Sequence, residues 1–471
     1  MGLNTRRWHG FKWMVFAFLF LSVNTICWAD QSVQQKLTVD QAIQIAMENS
    51  LQRQIAQDDV KIARDKLAQA FSAYGPKLTI EGGYNHYNEQ PSSVQLAQKL
   101  VDLNNALSAM TYGQVPLQQN MDDSLNYYGY HFQLSQPLYT GHKLIGTKNA
   151  AKANQQGAQA NLTAANNDLV LSVKKAYYTV LLCQQMEVTM NEAVSSMEDH
   201  LREASAYYKV DLVPKLDVLR AEEKLADLKQ KQVLAQNNLT LAKKSLNYVL
   251  GVDLNTVYSF EDKMESGQIP QDLQACQNEA LTQRPELEGI NAKIEMAKQA
   301  VLIAKSGFKP TVALVADHYH YEPINEAPST SVGVVGTMKL FESGMVLHQI
   351  AEAEDTLKQA QTGKELLQRG IKLEVEQAYR NAEAALRTIE VAQKSLDTAQ
   401  EALEVANTRY KVGLSSSLEQ LDAEVSLTQA KTNYTQALSM YNIALAELDR
   451  AMGRGRVNNK IYDRVIFEYG H

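Results

Sequence analysis

The sequence predicts an α+β membrane protein: a duplicated unit that supplies four bilayer-length β-strands per chain, continued by long α-helices packed as a coiled coil. Three observations predict it. Residues of one half recur in the other at a constant offset of 202, as Leu138 and Leu340 do. Two stretches, 143–207 and 345–409, hold no proline and little turn chemistry. Four shorter stretches alternate apolar and polar residues with the period of a strand.

The chain of 471 residues is too long for one ordinary core. Only 10 prolines and 23 glycines interrupt it, and the mean hydropathy is −0.32, which suits long helices better than a loop-rich β fold. The start differs from the rest. Arg6, Arg7 and Lys12 precede an apolar stretch from Met14 to Val23, and Cys27-Trp28-Ala29 puts small residues at −3 and −1 of a cleavage point before Asp30. A signal peptide over 1–29 is expected; the apolar stretch is shorter than the ~20 residues a spanning helix needs. Asn24-Thr25-Ile26 is a poor lipidation signal for Cys27.

Removing Arg6, Arg7 and Lys12 from 46 basic residues leaves 43 against 53 acidic ones, a net −10. A negative surface opposes non-specific nucleic-acid binding. Cys183 and Cys276 both fall in helical patterns and read as small core residues, so no disulfide framework is expected. No later run approaches 18 apolar residues, so membrane spanning would have to use β-strands.

The repeat keeps register over more than a hundred residues: Ala176-Tyr177 falls on Ala378-Tyr379, Tyr208-Lys209-Val210 on Tyr410-Lys411-Val412, and Gly251 on Gly453. Upstream, Tyr74-Gly75-Pro76 aligns with Phe308-Lys309-Pro310 at an offset of 234, so 32 extra residues lie in the first copy between Asn88 and Tyr127. This insertion is expected to be a loop with a short helix through Val94–Leu107. The first copy is read over 30–269, with a helix, strands near 77–87 and 128–139, a long helix near 142–207 and a helix near 215–250. The second is read over 270–453, with a helix, strands near 311–321 and 331–341, and helices near 343–409 and 416–452. Residues 454–471 are a tail.

In the strands, Tyr128, Tyr130, Phe132 and Leu134 point one way and Gly129, His131, Gln133 and Ser135 the other; Val332, Val334, Met338 and Leu340 likewise oppose Ser331, Gly333, Thr337 and Lys339. At about 10–12 residues these strands are long enough to cross a bilayer when tilted. Four strands cannot close a barrel, which needs ~8 or more, so several chains must contribute. Tyr and His near the strand ends suit a membrane–water interface.

Each long helix spans on the order of 100 Å at ~1.5 Å per residue. The helix after the turn carries a seam of Val218, Ala221, Leu225, Leu228, Ala235, Leu239, Ala242, Leu246 and Val249; its counterpart sets Ala423, Ala430, Ala437, Ala444 and Ala451 seven apart. Alanine at one seam position permits close approach, and the large residues between fill the holes. The other faces, rich in Gln, Asn, Lys and Glu, fit either a solvated surface or the lining of a water-filled channel.

Catalytic signatures are missing: there is no GxxxxGK[ST], HExxH or CxxC. His318, His320 and His86 admit a metal cluster but fit an interfacial or lumenal role better. No catalytic, cofactor or metal residue is assigned. The turns between long and short helices are more informative. Gly413 can take the left-handed conformation that ends a helix, and Ser415 to Ser417 offer caps for the next; taken alone, the residues specify only a turn.

Leu138-Tyr139-Thr140-Gly141-His142 with Leu340-Phe341-Glu342-Ser343-Gly344, the Arg409-Tyr410-Lys411-Val412-Gly413 tip followed by Leu421-Asp422-Ala423-Glu424, and the closing Gly453 together resemble the TolC-like outer-membrane efflux protein family. The resemblance implies a homotrimer whose four strands per chain close a 12-stranded barrel in the outer membrane, with a helical cylinder continuing into the periplasm. It implies a passive duct for drugs, toxic compounds or type I secreted polypeptides, joined through a periplasmic adaptor to an inner-membrane pump and needing no cofactor. By position, Glu419 and Asp422 match the acids of a periplasmic constriction, and Tyr410 and Asp217 match residues linking neighbouring tips. Adaptor docking is expected at Val210, Asp211 and Leu212 and at Val412, Gly413 and Leu414. Ser415 stands where some members carry a gating arginine, and Asp211 with Pro214 departs from a plain glycine tip. A pore-free periplasmic scaffold would explain the helices but not the strands.

Overall fold

The computed structural model of the chain describes residues 35–86, 88–89, 92–112, 126–260, 262–269, 272–322 and 329–455. The expected signal peptide and the tail after residue 455 lie outside the described residues. The first copy contains β1 (Gln35–Leu37), α1 (Val39–Asn49), α2 (Leu51–Ser72), β2 (Lys77–His86), α3 (Ser92–Tyr112), β3 (Asn126–Tyr139), α4 (Lys143–Lys209), α5 (Lys215–Leu250) and β4 (Tyr258–Phe260). The second contains α6 (Leu273–Gln283), α7 (Pro285–Lys305), β5 (Thr311–Glu322), β6 (Ser329–Thr337), α8 (Met345–Lys411) and α9 (Ser417–Ala451).

The single helix expected upstream of the strands is two helices in each copy. Thr38 and Gln41 form a reciprocal capping box on α1, and Ser50, in an extended conformation, ends α1 and caps α2. In the second copy Asp272 caps α6, and Arg284 is extended because Pro285, at the first position of α7, disfavours helix in the residue before it. Two three-residue strands, β1 and β4, pair in parallel; they are too short to show a period.

The main sheet runs β2-β3-β5-β6, antiparallel throughout, and leaves β2 and β6 as edges. The alternation in sequence carries the fourth strand to 341, but the strand stops at Thr337, because its partner β5 begins at Thr311, directly after Pro310, and Thr311 pairs with Thr337. Cross-strand pairing puts Leu78, Ile80, Phe132, Leu134 and Val332 on one face. The Tyr130 ring lies there, 5.5 Å from Phe132 and 5.2 Å from His320. The opposite face is polar: His131 Nε2 is 2.8 Å from Asp317 Oδ1, and Gln133 donates to the same oxygen at 3.0 Å.

The duplicated strand exits have a shared conformational cause. Gly141 and His142 take φ of 62° and 76°, and Ser343 and Gly344 take 50° and 83°. Two successive left-handed residues turn the chain from sheet to helix, and each copy places one glycine in the pair. A Cβ on Gly141 would sit 2.8 Å from Lys309 Cβ, so in the first copy close approach adds to the need for glycine.

Helices α4 and α8 are each 67 residues long. Each folds back on its successor, α4 on α5 and α8 on α9, while α4 also packs against α7 and α9. Cores sit at mid-height of the long helices. In the first, Tyr177, Val173 and Val180 of α4 meet Leu37, Ile43 and Leu246; in the second, Ile371 and Val375 of α8 meet Cys276, Leu448 and Met452. The Tyr177 hydroxyl lies 2.8 Å from the Leu37 carbonyl and 2.9 Å from Asp262 Oδ2, which ties β1 to the α4 core.

Candidate functional site

The α4–α5 and α8–α9 turns share one backbone design. In the first, the Asp211 N–H donates to the Tyr208 carbonyl and the Leu212 N–H to Tyr207, both at 3.0 Å; in the second, Gly413 donates to Tyr410 at 3.0 Å and Leu414 to Arg409 at 2.9 Å. These paired bonds form a Schellman cap, which needs a left-handed residue after the helix. Asp211 takes that conformation at φ 58° and Gly413 at 72°. The aspartate that departs from a plain glycine tip therefore occupies the same geometry.

Both caps push apolar side chains outward. Val210 and Leu212 are 62% and 70% exposed, and Val412 and Leu414 are 64% and 70% exposed. Arg409 donates to the Leu414 carbonyl at 3.2 Å and braces the second tip.

Helix α9 starts at a Ser416 cap that accepts from the Glu419 N–H at 3.3 Å. Ser415 Oγ donates to Glu419 Oε2 at 2.7 Å, so this serine holds the acid in the first turn, where the helix dipole favours a negative charge. Glu419 and Asp422, three apart, project from one exposed face of α9, while Gln420 and Leu421 are buried on the other.

Tyr410 is only 7% exposed. Its ring centroid is 5.8 Å from that of His200 and 6.1 Å from that of Tyr207. Burial raises its phenol pKa, and the charges of Glu203 and Asp217 add to the rise. Asp217, in the first turn of α5, is near enough for its charge to act on the Tyr410 phenol, whose buried hydroxyl has no hydrogen-bond partner.

Above the tips a polar seam joins α9 to α4 and, through Asn407, to α8. His200, 3% exposed, has Nε2 3.2 Å from Ser417 Oγ. Ser196 Oγ donates to Glu424 Oε1 at 2.5 Å, and Gln420 donates to Asn407 Oδ1 at 2.8 Å. His200 Nδ1, Glu424 Oε2 and Gln420 Oε1 are buried without a hydrogen-bond partner. In the sequence Glu424 stands out only as part of the tip motif and Ser417 only as a cap, and no motif there selects His200, Ser196 or Gln420. His200 had a signal, since it falls between Met197 and Ala204 on a buried stripe of helical spacing; Glu424 acquires its partner only through a contact 228 residues away.

Burial pushes the Glu424 carboxyl above the ordinary glutamate range, opposed by the Ser196 hydroxyl and by His200. A carboxyl whose pKa rises on folding holds its proton more tightly in the folded state, so its contribution to stability falls as pH climbs through the raised value. Glu424→Gln keeps an acceptor for Ser196 and removes the buried charge. It is expected to add about 1 kcal/mol at pH 8, seen as a melting temperature about 1 °C higher for a chain of this length, and to have a smaller effect at pH 4.

The family model described as "Outer membrane efflux protein" matches residues 42–252 and 277–454. Among curated proteins, the chain is 23% identical over 257 residues to the outer membrane protein TolC of Vibrio cholerae, covering 52% of this chain and 58% of that protein. It is 22% identical over 377 residues to the outer membrane efflux protein BepC of Brucella suis, covering 78% of this chain and 74% of that protein. The fold matches the Campylobacter jejuni CmeC outer membrane channel with a TM-score of 0.75 at 17% identity, over 91% of this chain and 88% of that one. One matched segment falls in each copy of the duplicated unit and includes its strand exit and tip, and the chain belongs to the outer membrane efflux protein family.

Proposed function

We propose that three copies of this chain close a 12-stranded barrel in the outer membrane and act as a passive export duct, with the helices carrying the passage through the periplasm. The observation that carries this reading is the four-stranded sheet with one apolar face, one polar face and two open edges, β2 and β6. An open sheet in lipid leaves its edge N–H and C=O groups unsatisfied, and closure across chains removes the edges. The apolar face meets lipid; the face bearing His131, Gln133 and Asp317 lines the lumen.

At the other end, Glu419 and Asp422 form two acidic rings on the three-fold axis, and Tyr410 with Asp217 holds the tips together. Such rings disfavour anions and attract cations. The exposed Val210, Asp211 and Leu212 of one tip and Val412, Gly413 and Leu414 of the other are the surface for a periplasmic adaptor, which connects the duct to an inner-membrane pump. The chain moves cargo by providing the passage; the pump supplies the energy.

Two measurements test this reading. Purified protein in planar bilayers is expected to give discrete cation-preferring conductance steps, and absence of steps from correctly folded trimer overturns the duct. The variants Leu212→Cys and Leu414→Cys are expected to crosslink to an adaptor hairpin in transporting cells; crosslinks confined to mid-helix control positions overturn docking at the tips.

A further inference from the structure

The insertion that lengthens the first copy carries α3, whose Leu96, Leu100, Leu103, Leu107 and Met110 are spaced four, three, four and three apart. All five side chains are 57–90% exposed. The mean step of 3.5 residues is that of a coiled-coil seam; a helix laid on a globular core or a flat surface shows a broader apolar stripe. Around the seam stand Gln98, Lys99, Asp102 and Asn104, with Ala106 beside it and half-buried Val101 on the far side of the helix, and Gln98 donates to Asp102 Oδ1 at 3.0 Å. One basic and one acidic residue do not make the Lys- and Arg-rich polar face of a helix that lies on lipid, and they set up no strong repulsion between copies.

Topology brings copies of this seam together. Strands β2 and β3 join α2 and α4 at their Lys77 and Tyr139 ends, so the His86 and Asn126 ends, between which α3 is inserted, point away from the helical cylinder. Helix α3 follows β2, an edge strand across which neighbouring chains would pair, and so continues that inter-chain boundary beyond the lipid. A helix of 21 residues draws most of its stability in a protein from packing of its apolar face rather than from propensity. Three copies held by one barrel meet at the high effective concentration of tethered partners.

We propose that the three α3 helices of the trimer pack against one another through this leucine seam, forming a three-helix bundle at the outer mouth of the barrel. The proposal rests on the trimeric reading above. The seam's partner is the same seam on the other two copies, so the bundle is parallel and in register: Leu100 meets Leu100 and Leu103 meets Leu103.

The test uses full-length protein in outer membranes, with trimer assembly followed separately on unheated gels. Leu100→Cys and Leu103→Cys, which each keep a small apolar side chain in the seam, are expected to form inter-chain disulfides under mild oxidation. Their yield should be at least about ten-fold above that of Asn104→Cys or of the wild type, whose Cys183 and Cys276 serve as background. Intact trimer without such links, or with equal links at Asn104→Cys, overturns the bundle and leaves the trimer standing. Quenching by lipid-borne nitroxide of a fluorophore attached to the Leu103→Cys variant also overturns it, assigning the seam to the membrane instead. A monomeric chain overturns both readings. As a second readout, Leu100→Asp with Leu103→Asp is expected to speed tryptic cleavage after Lys99 on whole cells about ten-fold; equal rates in variant and wild type count against the bundle.

Discussion

Arg284→Ala is expected to destabilise the fold by about 2–3 kcal/mol, less than the ~3–5 kcal/mol of a fully buried pair, because the Glu286 and Glu374 side chains keep 26% and 43% of their exposure. Arg284 is 4% exposed and donates to Glu286 Oε1 at 2.7 Å and to Glu374 Oε2 at 2.5 Å. Arg450 completes the network, reaching Glu374 at 2.7 Å, Glu286 at 3.2 Å and Asp168 at 2.7 Å. Four long elements, α4, α7, α8 and α9, are thereby joined at mid-height. Alanine leaves Glu286 and Glu374 short of a cation in a partly desolvated site. Arg284→Lys, lacking the planar fork, should recover only part of the loss. Burial alone would raise the Glu286 carboxyl, but the hydrogen bonds and charges around it, chiefly from Arg284, outweigh that and hold it below the ordinary glutamate range. A group lowered on folding stabilises the fold above its unfolded pKa and loses that contribution as pH falls through the folded value. Thermal melts of the trimer should therefore show a large gap between wild type and Arg284→Ala at pH 7.5, narrowing in acid. A gap below about 1 kcal/mol at pH 7.5 would mean that the network contributes little to holding the helices together.

The paired change Glu419→Ala with Asp422→Ala is expected to raise single-channel conductance and to weaken block by multivalent cations by at least about ten-fold. A cation a few ångströms from one carboxylate gains roughly 1–4 kcal/mol between bulk water and a protein surface, and each ~1.4 kcal/mol is a factor of ten in affinity. Both acids are exposed on one face of α9, so their loss leaves the packing of Gln420 and Leu421 intact. Ser415→Ala, which frees Glu419 from its 2.7 Å hydrogen bond, should reproduce a minor part of the effect. Unchanged block in the double variant would move the constriction elsewhere.

Much of the fold class was readable in the sequence because its determinants are periodic. The repeat carries the duplication, the period of 2 carries the strands, and the alanine seam carries the helix pairs. What escaped depends on contacts between distant residues or on signals shorter than a period. The β1–β4 pairing joins Leu37 to Phe260 over three residues. The breaks at Ser50 and Arg284 are local capping events inside an otherwise helical pattern. The end of β6 is dictated by where its partner starts. At the tips, the turn chemistry of Gly413 and Ser416 was visible, while the seam of His200, Ser196 and Glu424 comes into being only when α4 lies against α9. The Arg284–Arg450 network was invisible for the same reason. The family resemblance drew attention to Tyr410, Asp217, Glu419 and Asp422; the structure adds that the first is buried and that the last two share an exposed helix face.

Closure of the barrel across chains underlies the duct, the acidic rings and the outer bundle alike, and disulfide mapping between the two edge strands tests it directly. One cysteine is placed along β2 (Lys77–His86) and one along β6 (Ser329–Thr337) in protein embedded in outer membranes, and the products are separated after oxidation. Inter-chain disulfides at alternate positions, building ladders that end at a covalent trimer, are the predicted result. Links formed only within single chains, or none at any register, would contradict a barrel shared among three subunits.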